Sequence, residues 1–300
     1  MSLPEPARFE AKLGRKRFLV TMEVNPPKGT DLSELLTAVG QVKPLVDAIN
    51  VTDGSGAIMR ACSLAVAKAV LDAGADPILQ MTCRDRNRLA LQADLLGAGI
   101  LGIRNVLLLR GDDPKSGDHP EAKPVFDIES AQLMQAAKHL VAGQDMAGKA
   151  LTGAPRLCIG AACDPGAKDL DVEMQKLQAK IQGGAQFFQT QAVFDPAKLS
   201  AFMTRAKAFG KPVLAGILLV KSAKMARYMN EHVWGIQVPE PLIQRFEQAA
   251  DKRAECIAVT SELIRAVRET ADGIHLYALG WEDLVPSILK EADVAMEGAA

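Results

Sequence analysis

The stretch Val106-Leu107-Leu108-Leu109-Arg110-Gly111-Asp112-Asp113-Pro114, VLLLRGDDP, passes from four apolar residues directly into an arginine, a glycine and two adjacent carboxylates. A short apolar run bounded by turn residues reads as a strand covered on both faces. The two acids at its end have to reach water, pair with a cation or serve a ligand.

Working outward, similar runs recur along the whole chain, each followed by a segment of helical periodicity. RFLVTMEV (17–24) precedes a helix opened by Asp31-Leu32-Ser33-Glu34, which has the pattern of a capping box. DAINVTD (47–53) precedes an alanine-rich helix over 60–73, and DPILQMTC (76–83) precedes a helix over 86–98. The strand at 105–111 leads to a helix over 129–141, RLCIGAAC (156–163) to 169–182, and QFFQTQAVF (186–194) to 196–208. PVLAGILLV (212–220) is followed by helices near 222–231, 239–249 and 252–269, and GIHLYALG (273–280) by a last helix from 281. Eight strand–helix units in this length predict a single (β/α)8 TIM barrel, α/β in class, over 17–300 after an N-terminal extension, 1–16. No G-x-G-x-x-G follows the first strand, so a dinucleotide-binding open sheet lacks support.

Composition narrows the function class. The chain of 300 residues is 48% hydrophobic and 24% charged, with a formal net charge of −1. That balance offers no electrostatic reason to bind nucleic acid or an anionic membrane. No apolar run approaches the roughly 18 residues of a membrane span, and a cytoplasmic protein is expected. The five cysteines, at 62, 83, 158, 163 and 256, form no C-x-x-C pair and read as reduced thiols, with no metal site. On one strand Cys158 and Cys163 would point to opposite faces.

Polar residues gather at the predicted strand ends: Glu23, Asp53, Thr82, Asp112, Asp164, Gln191, Lys221 and Tyr277. That rim is where barrel enzymes build their sites. The connections after the second strand (53–59) and the fourth (112–128) are Gly-rich or long, as ligand-holding loops tend to be.

The motifs TMEVNPPKG (21–29), MTCRDRN (81–87), LLLRGDDP (107–114), GGAQFFQTQAVFD (183–195) and GIHLYAL (273–279) resemble methylenetetrahydrofolate reductase, in that family's order and on the same strands. The resemblance runs from about 15 to 290, and the variants look most like the short enzymes of anaerobes and acetogens. It implies a flavin, FAD or FMN, at the strand C-termini, and ping-pong hydride transfer through flavin N5. The implied reaction converts 5,10-methylenetetrahydrofolate to 5-methyltetrahydrofolate, a step of one-carbon metabolism toward methionine. Opening the substrate's five-membered ring needs a proton on N10, and the resemblance carries that general-acid role onto Glu23. Flanked by Met22 and Val24 in a strand, this carboxyl is desolvated, which favours its proton-carrying form; the structural alternative is a Glu paired with Lys16 or Arg84. Asp112 is implied to lie beside flavin and pterin, stabilising the cationic intermediate, and Gln191 to hydrogen-bond the pterin. Thr52, Leu109, Arg110, Gly111, Glu173 and Lys180 are implied flavin contacts, with Gly111 letting the backbone come close. Glu173 and Lys180 also suit a solvated i,i+7 charge pair. Asp113 is expected to be solvated or to cap the loop that follows.

Several positions depart from the family. Gln80-Met81 stands where a histidine commonly precedes the TC of the third strand, and ACDPGAKD (162–169) replaces a tyrosine-proline motif. Ala223 falls near the aromatic residue that stacks nicotinamide in NADH-using relatives, and Trp281 where an arginine meets the folate's glutamate tail. The expected electron donor is NAD(P)H or a partner redox subunit, and a homo-oligomer or a place in a larger complex is expected. Two alternatives accompany this reading: a pterin-binding methyltransferase barrel without flavin, and a flavin-binding subunit active only in an electron-transfer complex. His275 is expected to be a packed barrel residue, and His119, in the loop after the fourth strand, a candidate cofactor contact.

Overall fold

A computed structural model describes Pro4 and residues 8–15, 18–233 and 235–294. The eight strands are β1 (Leu19–Val24), β2 (Ala48–Val51), β3 (Pro77–Thr82), β4 (Asn105–Leu109), β5 (Cys158–Cys163), β6 (Phe187–Ala192), β7 (Val213–Leu218) and β8 (Gly273–Tyr277). All pair in parallel, in sequence order, and β8 closes on β1 with Thr21 opposite His275. The helices are α1 (Phe9–Leu13), α2 (Ser33–Val42), α3 (Ser63–Asp72), α4 (Arg88–Ile100), α5 (Ser130–Val141), α6 (Leu170–Gln182), α7 (Pro196–Ala206), α8 (Ala223–His232), α9 (Glu240–Gln248), α10 (Lys252–Val267) and α11 (Val285–Glu291). The expected (β/α)8 barrel is the observed fold.

Two apolar clusters follow from strand alternation. Residues such as Met22, Val51, Leu79, Leu108 and Cys163 face outward and pack beneath the helices. Leu19, Ala48, Ile78, Leu107, Cys158, Phe187 and Leu214 fill the floor of the barrel interior. Cys158 and Cys163 thus lie on opposite faces of β5, and all five cysteines are free. Helix α1 closes the floor from below: Phe9 is fully buried and meets Phe187 edge-on at 5.0 Å. The Asp76 carboxylate anchors this plug, accepting from Arg8 Nη1 (2.9 Å), the Phe9 N–H (2.7 Å) and Asn105 Nδ2 (2.9 Å).

Strands end where backbone or side-chain chemistry intervenes. β4 stops at Leu109, short of the expected 111, because Gly111 adopts φ +92°, which a strand does not continue through. The start of α2 corrects the expected capping box. Asp31 accepts from the Ser33 N–H (2.9 Å) and Ser33 Oγ (2.6 Å), a local turn contact two residues on. A reciprocal box instead opens α5, between Glu129 and Gln132. Among the described residues no helix is long and apolar enough to cross a membrane.

Candidate active site

Above the apolar floor the interior turns polar. Thr21, Asn50, Gln189 and His275, from four strands, form a buried layer, and two residues further along the same strands stand Glu23, Thr52, Gln191 and Tyr277. A spacing of two keeps each pair on one face, so the second set lines the mouth. Glu23 is only 7% exposed, and its Oε2 lies 3.8 Å from His275 Nε2. Arg84 does not pair with it: that guanidinium binds Asp85 (2.9 and 2.7 Å) and the Gly54 carbonyl (3.0 Å). Lys16, the other expected partner, lies outside the described residues.

Three further groups complete the wall. Thr52 Oγ1 donates to Asn25 Oδ1 at 2.8 Å. The Tyr277 hydroxyl donates to the Thr190 carbonyl at 2.8 Å; burial, then the Glu23 carboxylate, then Cys163, push its phenol well above the ordinary range. The side-chain amides of Gln80 and Gln191 make no hydrogen bond with any described residue. Gln80 is buried, so it brings an unmatched amide to the inner wall. Register slips between Gln189 and Ala192 where β6 meets β7. There Thr190 Oγ1 donates to the Gln191 carbonyl (2.6 Å) and accepts from the Gly216 N–H (2.8 Å). Such irregularities re-aim side chains beside active sites, and this one bears on Gln191.

The loop after β4 answers the question posed by VLLLRGDDP. Asp112 is exposed, and its Oδ2 accepts from the Gly56 N–H at 2.8 Å, tying this loop to the one after β2. Asp118 strengthens the tie, accepting from Lys28 and from the Met59 N–H (2.9 Å); these bonds hold its carboxyl down at about 2. Asp113 accepts from the Lys115 N–H at 2.9 Å, which is the loop-capping role expected of it. Arg110 lies over the Phe126 ring at 4.2 Å and stands 3.4 Å from Glu129. Gly111 has a reason the sequence did not show: an added Cβ would lie 2.9 Å from Thr82 Cβ and 3.0 Å from Arg84 Cβ. Close packing on β3 therefore demands a glycine before any ligand does. His119 is exposed and lines a small cavity of about 270 Å³ with Asp53, Gly54 and Arg84.

Other rim residues are consumed by the scaffold. Asp53 accepts from the Thr82 N–H (2.8 Å), Thr82 Oγ1 (3.0 Å), Ser63 Oγ (3.1 Å) and Arg86. Lys221 donates to the Leu279 carbonyl beside the Trp281 ring. Ala223 opens α8 behind a Ser222 cap.

A larger cleft, of about 1090 Å³, opens beside the mouth between the loops after β5 and β6 and the α8–α9 connection. Asp164, Glu173, Lys176, Lys198 and Gly235 are among its walls. Burial, opposed by a hydrogen bond from the Gly166 N–H and reinforced by Glu173, raises the Asp164 carboxyl. Glu173 is buried; its Oε1 accepts from the Asp164 N–H (3.0 Å) and its Oε2 lies 3.5 Å from Lys176. Lys180 Nζ donates to the Ala162 carbonyl at 2.7 Å. The expected i,i+7 pair is thus not formed: both side chains turn inward onto the end of β5. Asp169 and Asp195 cap the helices entering the cleft. Among the described residues no cluster of His, Cys, Asp or Glu suits a metal ion.

The site residues therefore fall into three places: Glu23, Thr52 and Gln191 at the inner mouth, Arg110 to Asp112 on the tied loop, and Glu173 with Lys180 at the β5 end. The buried layer of Asn50, Gln189 and His275 was not recognised from sequence. Its signal was present as polar residues two apart inside apolar strands.

The solved structure of a Clostridium thermocellum protein, described as binding two copies of 5-methyl-5,6,7,8-tetrahydrofolic acid, shares the fold with a TM-score of 0.59 at 15% identity, over 95% of this chain and 98% of that one. Methylenetetrahydrofolate reductase 1 of Schizosaccharomyces pombe is 23% identical over 306 residues, covering 95% of this chain and 48% of that protein. This chain spans about half the length of the two fission-yeast reductases it matches. The 5,10-methylenetetrahydrofolate reductases of Pectobacterium carotovorum and Escherichia coli are 25% and 24% identical, covering 89% and 87% of this chain and 88% and 86% of theirs. The family model described as methylenetetrahydrofolate reductase matches residues 8–293, and the chain belongs to that family.

Proposed function

We propose that the chain reduces 5,10-methylenetetrahydrofolate to 5-methyltetrahydrofolate with a bound flavin, Glu23 acting as general acid. The observation that carries this reading is the Glu23 carboxyl, 7% exposed at the inner mouth of the barrel and without a hydrogen-bonded partner among the described residues. In the proposed step Glu23 gives its proton to the substrate's N10. The C–N10 bond breaks, its electron pair goes to N10, and the one-carbon unit is left as a 5-iminium cation. Low solvent access keeps water from competing for that proton. Gln191, with its free amide, would orient the pterin. The Asp112 carboxylate would stabilise the cation, its Oδ1 remaining available while Oδ2 accepts from the Gly56 N–H.

The residues present suit a flavin. The unmatched Gln80 amide and the Thr52 side chain face the mouth, and the cleft of about 1090 Å³ reaches the size range of ligand pockets. Thr52, Leu109, Arg110, Gly111 and Asp112 would hold the ring side; Glu173 and Lys180, whose ammonium has two donors left after Ala162, would hold the tail. When bound, a flavin supplies the two-electron carrier that no side chain provides. FAD or FMN both satisfy this, and the donor is NAD(P)H or a partner redox subunit.

The test is an anaerobic spectrum of the purified protein. Oxidised-flavin absorbance that bleaches on adding methyltetrahydrofolate is the expected result. Glu23→Gln should retain the flavin and slow turnover by roughly 10²–10⁴. Folate binding with no flavin, even after supplying FAD and FMN, would overturn the reductase reading in favour of a methyltransferase barrel.

A further inference from the structure

The middle layer of the barrel carries polar side chains where such layers are ordinarily packed with branched apolar residues. Thr21, Asn50, Gln189 and His275 are each 2% exposed or less. Burying four polar groups is costly unless they are hydrogen-bonded, and these are. Asn50 Nδ2 donates to Gln189 Oε1 (2.7 Å), and Gln189 Nε2 donates back to Asn50 Oδ1 (3.1 Å). The same Gln189 Nε2 reaches Thr21 Oγ1 at 3.1 Å and His275 Nδ1 at 3.3 Å. Thr21 Oγ1 lies 2.9 Å from His275 Nδ1, closer than the 3.4 Å to the Ile274 carbonyl.

This geometry bears on a proton. The amide nitrogen only donates, and the Thr21 hydroxyl, which accepts from Gln189 Nε2, has Nδ1 within nearer reach of its own hydrogen (2.9 Å) than the Ile274 carbonyl (3.4 Å), so both neighbours of Nδ1 are placed to donate to it. Nδ1 is then the acceptor of a neutral imidazole, and the ring proton sits on Nε2. That nitrogen is the one 3.8 Å from Glu23 Oε2.

We propose that Gln189, braced by Asn50, is a positioning residue that holds His275 in its Nε2–H tautomer, with the N–H aimed at Glu23. The tautomer follows from the buried network alone. Its consequence for turnover rests on the acid role proposed for Glu23: once the carboxyl has passed its proton to the substrate, His275 offers a donor that closes from 3.8 Å to hydrogen-bond the carboxylate left behind. Reversing the paired amides together would preserve their mutual bonds while presenting Gln189 Oε1 to Nδ1. The ring proton would then move to Nδ1 and the donor toward Glu23 would be lost. The orientation of the Gln189 amide thus sets which end of the imidazole carries the hydrogen.

The experiment is long-range ¹H–¹⁵N NMR of the full chain labelled at histidine, which separates Nε2–H from Nδ1–H by the nitrogen shifts. His119, His139 and His232 are all exposed, and replacing them with glutamine leaves the His275 ring alone in the spectrum. The wild-type ring should be Nε2–H. An Nδ1–H ring overturns the proposal without any variant at 189. Gln189→Glu presents only acceptor oxygens, so His275 should shift to a form protonated at Nδ1. Turnover should fall by about 10- to 100-fold, the worth of one charge-assisted hydrogen bond, with KM little changed. Gln189→Leu, which removes the donor without adding a charge, should lower kcat over the same range. If wild-type chain turns over folate but either folded 189 variant keeps full kcat, the positioning role is wrong. If wild-type shows the Nε2–H ring but never acts on folate, the network stands and the reductase reading fails.

Discussion

Removing the Phe9 side chain should destabilise the protein without touching its chemistry. Phe9 is fully buried beneath the barrel floor, among Leu19, Ala48, Ile78, Leu107, Phe187 and Leu214. A phenyl side chain withdraws about 150–250 Å² from water, worth about 4–6 kcal/mol at roughly 25 cal/mol per Å². Phe→Ala replacements in cores cost about 3–5 kcal/mol. The lower figure applies if α1 lets go of the floor, since water then fills the gap. In that case the Asp76 carboxylate, 4% exposed, loses Arg8 as well. For 300 residues the unfolding entropy is about 0.6 kcal/mol per degree, so Phe9→Ala should lower Tm by about 5–8 °C. The mouth lies at the other end of the strands, so kcat and KM at a temperature well below melting should match wild type. Differential scanning calorimetry and steady-state rates on the same preparation make the comparison. A Tm within 2 °C of wild type would refute the plug, and a changed kcat in a fully folded variant would refute the separation of floor from mouth.

Gly111→Ala should cost about 2–4 kcal/mol and lower kcat/KM together, because both the positive φ and the contact with Thr82 are violated at the base of the loop carrying Asp112; unchanged melting would show that the loop adapts. Asp118 should titrate near 2 in the folded protein when followed by its carboxyl carbon resonance. Because its folded value is below the ordinary 3.8, its hydrogen bonds favour the fold fully above about pH 4, and that contribution fades as pH falls toward 2; a midpoint near 4 would mean the Lys28 and Met59 contacts do not persist in solution. Cys62 is exposed whereas burial raises Cys83 and Cys256 to about 11 and Cys158 and Cys163 higher still. One thiol should therefore react promptly with a disulfide reagent under native conditions and five after denaturation; two or more fast thiols would contradict the packing.

Much of the fold was legible because a barrel of this kind repeats one local pattern. Apolar runs such as Val106–Leu109, short and bounded by turn residues, read as strands buried on both faces, and eight of them alternating with amphipathic segments leave little choice of architecture. Glu23, Gln191 and Tyr277 were legible too, as polar residues at the ends of those runs. Strand ends were less so: Gly111 ends β4 through its φ, and the β6 irregularity at Thr190 depends on Gly216 of the next strand. Neither is visible within a local window.

The sequence by itself determined the parallel barrel and its rim of polar residues, because alternation and periodicity are local properties, and its motifs carried the resemblance to the family. Only the closed tertiary structure decided what each polar group meets. Arg84 turned to Asp85 and away from Glu23, Asp112 took the Gly56 N–H, and Glu173 took the Asp164 N–H. His275, which reads in sequence as one more packed residue, became a neighbour of Glu23 because closing the barrel sets β1 against β8 and brings residues 252 apart in the chain onto one inner wall. Strand alternation says which side chains point inward; the curvature and stagger of the closed sheet say which of them touch.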